Sequence, residues 1–170
     1  LLTTGSDGAW HLFDMAKTQV CRSKLSAHTD PIYSALFLDD FVMCTGDDEG
    51  VIRLWDTRCP DDSVMKSEIH EQQDGTVSSM VFLAQEKRLV TTSTNGSLGV
   101  YDIRSSGNNI SLQLHALSDM MESELNDICL MKNNQLICCG TSKGEVQLYH
   151  KGWYGDCKDR VTGNPYSVDT

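Results

Sequence analysis

Three kinds of side chain in this chain could do chemistry: five histidines (His11, His28, His70, His115, His150), seven cysteines and three carboxylate clusters. The clusters are Asp39-Asp40, Asp47-Asp48-Glu49 and Asp61-Asp62. Nucleophilic catalysis needs a hydroxyl or thiol beside a base, often on a strained elbow, and no Gly-x-Ser-x-Gly stretch occurs. A zinc site would show Cys-x-x-Cys or closely spaced histidines, and neither is present. Asp7-Gly8 and Asn95-Gly96 resemble phosphate loops only in their glycine, because no Lys-Ser/Thr follows. The reading therefore expects no catalytic residue, no metal and no cofactor. The odd cysteine count has no framework spacing. Cys44, Cys129, Cys138 and Cys139 lie in apolar runs and read as buried thiols of a reducing compartment.

The elements that carry these residues follow a rhythm. Gly8 precedes Phe13-Asp14, Gly50 precedes Trp55-Asp56, Gly96 precedes Tyr101-Asp102 and Gly144 precedes Tyr149-His150. The offset from glycine to the Asp or His is six each time, and the units recur at 42, 46 and 48 residues. Such a period marks an array of repeats. Val51 to Trp55 and Glu145 to Tyr149 alternate apolar and polar, as a half-buried strand does. The glycine before each falls where a tight hairpin needs positive φ. Apolar runs at 41–44, 89–92 and 136–139 precede the turns, and others at 32–38, 77–83 and 125–131 lie further upstream. Weaker runs at 20–25, 64–69 and 110–114 follow the aromatic-Asp pairs. Four short antiparallel strands per unit make a propeller blade, so the expected class is all-β. The units read as 1–26, 27–70, 71–114, 115–160 and 161–170, and the last strand of the fourth unit is obscure.

Composition limits the function. A hydrophobic fraction of 39% supports a packed core, and no run approaches the 18 apolar residues of a membrane helix. The formal charge of −10 argues against this segment gripping a phosphate backbone, and suits solubility or a basic protein partner. The carboxylate clusters fall on opposite ends of the expected blades, so they form no single patch. The 118–124 stretch with Met120-Met121 reads as an inserted loop, either a short helix or an exposed contact.

Ala27-His28, then Thr45-Gly46 with the acidic turn, then Ile52 to Asp56 resemble the WD-repeat family. The resemblance covers essentially the whole chain and is sharpest in the second unit. It implies a β-propeller of four-stranded antiparallel blades. The chain would hold about four of some seven blades, as part of a longer propeller. It also implies a blade-locking network of His28, Thr45, Trp55 and a turn acid, carried over onto Glu49 with Asp48 beside it. Asn95 and Tyr101, then Lys143 and Tyr149, take the acid and Trp places of the third and fourth units. The stretches 27–34, 45–56, 95–103 and 148–155 resemble a eukaryotic branch of the family, nuclear and nucleolar and implicated in ribosomal RNA maturation. The expected role is then a non-enzymatic scaffold for pre-ribosomal factors in the nucleus or nucleolus, with the cytoplasm also compatible. No direct nucleic-acid or membrane contact is expected from this segment.

Asp56-Thr57-Arg58 and Asp102-Ile103-Arg104 repeat Asp-x-Arg at the exit of the third strand. In this family such an ending on successive blades resembles the docking box for the damaged-DNA-binding adaptor of cullin-RING ubiquitin ligases. Asp56, Arg58, Asp102 and Arg104 are therefore candidate partner-binding residues, since an arginine on a rim offers a planar donor fork. The alternative is that each arginine pairs with a local aspartate and closes the blade corner.

Overall fold

The computed structural model describes residues 1–58, 64–69, 75–106 and 109–168. Alternating side chains and glycine turns fold them into four antiparallel sheets. The first sheet has three strands, β1 (Leu2–Thr4), β2 (Trp10–Asp14) and β3 (Gln19–Lys24). The second has β4 (Ile32–Phe37), β5 (Val42–Asp47), β6 (Val51–Asp56) and β7 (Val64–Ile69). The third has β8 (Val77–Leu83), β9 (Arg88–Ser93), β10 (Leu98–Ser106) and β11 (Asn109–Leu117). The fourth has β12 (Leu125–Met131), β13 (Leu136–Thr141), β14 (Val146–His150) and β15 (Asp159–Val161). Each strand pairs with its neighbour in the chain, as in an up-and-down meander. This is the architecture of partial propeller blades. β15 supplies the fourth unit's missing strand. Its three residues are all exposed, so no apolar alternation marked it.

The sheets stack face to face. β1, β4, β8 and β12 neighbour one another along one side, and β7 and β11 along the other. An apolar cluster fills each junction. Trp10, Ala27, Ile32, Met43 and Trp55 join the first two sheets. Cys44, Ile52, Leu54, Val77, Leu89 and Tyr101 join the second and third. Leu98, Val100, Leu125, Ile128, Ile137 and Tyr149 join the third and fourth. Burying such side chains contributes about 1.5–3 kcal/mol each, so the junctions supply much of the drive to fold. The middle strands β5, β9 and β13 are the most buried, since β5 and β9 lie in sheets with a neighbour on each face and Val168 lies over β13 at Gly140.

The glycine turns have a second job. Gly8 (φ 69°) and Gly96 (φ 83°) occupy left-handed backbone. The Gly8 carbonyl accepts the His28 amide at 2.9 Å, and the Gly96 carbonyl accepts the Met121 amide at 3.0 Å. A Cβ at either glycine would collide with backbone of the next unit, His28 in one case and Met121 in the other. The turn of one sheet is thus stitched to the segment that leads into the next. The 118–124 loop is such a connector and contains no helix, although Met120 is exposed.

Not every apolar-run cysteine is buried. Cys44, Cys138 and Cys139 are, but Cys129 is exposed, because its row on β12 faces away from the third sheet. Burial pushes the Cys44 thiol up to about 12 and the Cys139 thiol well above its usual value.

Candidate functional site

The most polar constellation in the core lies in the second sheet. His28 precedes β4, Thr45 and Asp47 sit on β5, and Trp55 sits on β6. His28 Nδ1 lies 2.6 Å from Asp47 Oδ2, and His28 Nε2 lies 2.6 Å from Thr45 Oγ1. Trp55 Nε1 donates to the same Thr45 oxygen at 2.8 Å. With the imidazole proton on Nδ1, the protons run one way. Trp55 donates to Thr45, the Thr45 hydroxyl donates to His28, and His28 donates to Asp47.

Hydroxyl, imidazole and carboxylate in series have the connectivity of a nucleophile, its base and the group that orients the base. The surroundings forbid that use. Thr45, Asp47 and His28 are all buried, and the Thr45 oxygen is occupied by the indole as well. No substrate carbonyl can approach an oxygen sealed on both sides, so the constellation has no place for a reacting atom. Its chemistry is structural. It ties the segment before β4 to β5 and β6, and Trp55 stacks edge-on against Trp10 of the first sheet at 5.7 Å.

The turn acid is Asp47 rather than Glu49, which corrects the expectation from the family resemblance. Asp47 ends β5 and is buried, whereas Glu49 lies at the exposed tip of the turn. Asp47 Oδ1 accepts the Glu49 and Val51 amides at 3.1 and 2.8 Å, which folds the carboxylate over the turn and leaves Oδ2 for His28. The other units carry a signal for this assignment. Ser93 and Thr141 hold the same place three residues before the glycine, and their hydroxyls accept the Asn95 and Glu145 amides. An oxygen-bearing side chain at that place caps the turn in all three sheets.

The Trp place behaves differently in the later sheets. Tyr101 is fully buried and its phenol is pushed up to about 12, chiefly by burial. Tyr149 donates to Gln147 Oε1 at 2.9 Å, and burial again raises its phenol. Neither Asn95 nor Lys143 takes the role of Asp47. Asn95 Oδ1 accepts the Ser97 amide and hydroxyl at 2.9 and 2.6 Å, and Lys143 pairs with Glu122 at 3.4 Å.

The two Asp-x-Arg exits also differ. Arg58 Nε and Nη2 grip Asp56 at 3.0 and 2.6 Å, and the guanidinium lies 5.0 Å from the centre of the Phe41 ring. That grip holds the Asp56 carboxyl below its usual range. The Arg58 side chain is still 60% exposed, so it is both pinned and presented. Asp102 pairs with Arg88 instead, at 2.9 Å from Nε, and its other oxygen lies 3.4 Å from His115 Nδ1. The register makes this inevitable, since Asp102 stands opposite Arg88 on β9. The Arg88 guanidinium bond holds the Asp102 carboxyl low. Arg104 is exposed two residues further out. Of the carboxylate clusters, Asp39 caps the Phe41 and Val42 amides and Asp48 accepts the Thr76 hydroxyl. Asp61-Asp62 lie outside the described residues.

One feature had no role assigned from sequence. The insert after β14 turns back at Gly152 (φ 84°) and buries Tyr154 edge-on against His115 of β11, with ring centroids 6.3 Å apart. The Gly155 carbonyl accepts the Asp119 amide at 2.7 Å, and Lys151 pairs with Glu86. The insert therefore clasps the fourth sheet to the third. Its aromatic pair, Trp153-Tyr154, was the available signal, with one ring out and one in.

Comparison with known proteins agrees with this geometry. The family model described as WD domain, G-beta repeat matches residues 19–56. The chain is 33% identical to WD repeat-containing protein 55 of Rattus norvegicus over 99% of this chain and 41% of that protein. It is 35% identical to WD repeat-containing protein JIP5 of Coprinopsis cinerea over 100% of this chain and 40% of that protein. It is 33% identical to WD repeat-containing protein 55 of Arabidopsis thaliana over 85% of this chain and 38% of that protein. The chain thus spans about two fifths of the length of these relatives. A crystal structure of the computationally designed Ika8 protein superposes with a TM-score of 0.75 at 17% identity, covering 99% of this chain and 48% of that one, and carries the fold alone.

Proposed function

Because the chain belongs to the WD-repeat family, we propose that it serves as a non-enzymatic scaffold that presents rigid rims and turns to partner proteins. The observation that carries this reading is the sealed His28–Thr45–Asp47 constellation. Among the described residues, this arrangement with catalytic connectivity is spent on holding a blade. WD domains generally mediate protein–protein contacts without catalysis, and the similarity to WD repeat-containing protein 55 along nearly the whole chain supports the same role here. The proposed setting is the nucleus and nucleolus, and the proposed partners are pre-ribosomal factors acting in ribosomal RNA maturation. Affinity purification of the full-length protein with mass spectrometry tests this. Recovery of pre-ribosomal factors supports it, and a partner set without them contradicts it.

A second reading is favoured by Arg58 alone. The exposed guanidinium, pinned by Asp56 and Phe41, suits docking to a cullin-RING adaptor. The second exit supports that reading less, since Asp102 is committed to Arg88. Co-precipitation of the adaptor with wild type, Arg58→Ala and Arg104→Ala separates the cases. Loss with Arg58→Ala supports docking, and equal recovery from all three removes it.

A further inference from the structure

The connector 118–124 and the strands β14 and β15 enclose a pocket of about 430 Å³. The repeat explains why it is open. Arg53, Gly99 and Gln147 each stand three residues after a turn glycine. In the second sheet Arg53 fills this place and donates through Nη1 to the Ala27 carbonyl, in the segment leading to β4. In the third sheet the Tyr101 hydroxyl lies where a Cβ on Gly99 would stand. In the fourth sheet Gln147 is shorter than arginine, and the space stays empty.

Four charges line the pocket, and they cancel. Lys143 pairs with Glu122 at 3.4 Å, and Arg160 is matched in sign by Glu145. Net charge therefore selects neither an anion nor a cation. What the pocket offers is unspent hydrogen bonding. Gln147 is only 1% exposed, and its Oε1 accepts the Tyr149 hydroxyl at 2.9 Å. Among the described residues nothing accepts from its Nε2, an exception for so buried an amide. Arg160 gives Nε to the Cys157 sulfur at 3.1 Å and Nη2 to the Met121 sulfur at 3.4 Å, both weak acceptors. Its Nη1 has no partner among the described residues. Glu145 spends its amide on the Thr141 hydroxyl, while its carboxylate bonds nothing among the described residues. The pocket is bounded by the edge strand β15, whose three residues are all exposed, so a side chain of another protein can reach it.

We infer that this pocket takes the side-chain carboxamide of a glutamine or asparagine from a partner protein. The incoming carbonyl accepts from Gln147 Nε2 and Arg160 Nη1, and the incoming amide nitrogen donates to Glu145. A primary amide is neutral and carries an acceptor and two donors on one small plane, as these free atoms require. A carboxylate would face Glu145 with like charge, and an apolar side chain would leave Gln147 unsatisfied, so both are rejected. The inference rests on the scaffold reading and gives one partner contact a chemistry.

Saturation-transfer NMR on the full-length protein tests it, with N-acetyl-glutamine N-methylamide as the probe. The glutamate and leucine counterparts should bind about fivefold more weakly, the factor for one lost hydrogen bond. Gln147→Arg should abolish the signal by filling the pocket as Arg53 fills its own place, and should melt close to wild type for the same reason. Glu145→Ala should weaken the probe several-fold without lowering the melting temperature, because its carboxylate holds nothing in the fold. Equal binding of the three capped residues, or an undiminished signal in both variants, would overturn the inference. Equal binding of free propionamide would also overturn it, by making the pocket a site for a small amide rather than for a partner's side chain. Recovery of protein partners from cells alongside any of these results would leave the scaffold reading standing and remove only this pocket.

Discussion

The second and fourth sheets solve one problem in two ways. Each must fix its third-strand aromatic against the neighbouring sheet and close the turn that follows Asp47 or Thr141. The second sheet recruits His28, Thr45 and Asp47 from two segments to hold one indole nitrogen. The fourth sheet packs Tyr149 among Leu125, Ile128 and Ile137 and ties its hydroxyl to Gln147, two residues away on the same strand. The turn cap is shared, from Asp47 in one and Thr141 in the other. The lesson is that a blade needs the aromatic and the cap. The histidine network is one means of holding them, and apolar filling with a local hydroxyl bond is another. A residue set that looks catalytic on paper is here an alternative to leucines.

That contrast can be broken by mutation. Trp55→Ala should have the largest effect, about 3–5 kcal/mol, because it empties the junction with Trp10 and removes the donor to Thr45. Denaturant unfolding of the full-length protein would show it as a lowered midpoint. His28→Ala should cost about 1–3 kcal/mol by leaving Asp47 and Thr45 unsatisfied in the core. An unchanged melting temperature with lost partner recovery would turn His28 into a binding residue. Tyr149→Phe should cost less, about 0.5–1.5 kcal/mol, since packing survives and one local bond is lost.

Acid sharpens a smaller difference between the two exits. Asp56 and Asp102 both sit below the usual carboxyl range, held by hydrogen bonds from Arg58 and Arg88. A carboxyl depressed in the folded state adds stability that is complete above about pH 4 and is lost as pH falls below it. Arg88 is less exposed than Arg58 and Asp102 also faces His115, whereas Asp56 is the more buried carboxyl, 7% exposed against 29%, and takes two bonds from its arginine. Asp56→Asn and Asp102→Asn should each flatten the acid limb of the melting profile. An unchanged acid limb in both variants would show that the arginine bonds do not hold these carboxyls low.

Most of the fold was legible because strand alternation and turn glycines are local signals. The first strands of the second, third and fourth units, from Ile32, Val77 and Leu125, could be read from apolar runs alone. β15 could not, since its three exposed residues carry no apolar alternation and the insert that clasps Tyr154 separates it from β14. The site was half legible. His28, Thr45 and Trp55 are named by the resemblance to the WD-repeat family. The acid was misplaced because three adjacent carboxylates fit the turn equally well until the capping bonds choose Asp47. The Arg88–Asp102 pair depends on cross-strand register, which the Asp-x-Arg spelling does not contain.

The central claim is that the buried His–Thr–Asp series is a lock whose acid is Asp47. Thermal unfolding of full-length Asp47→Ala beside Glu49→Ala tests it most directly. The account predicts a clear fall in melting temperature for Asp47→Ala, which loses the turn cap and the His28 bond together. It predicts a value within error of wild type for Glu49→Ala, whose side chain is exposed. A fall with Glu49→Ala and none with Asp47→Ala would contradict it.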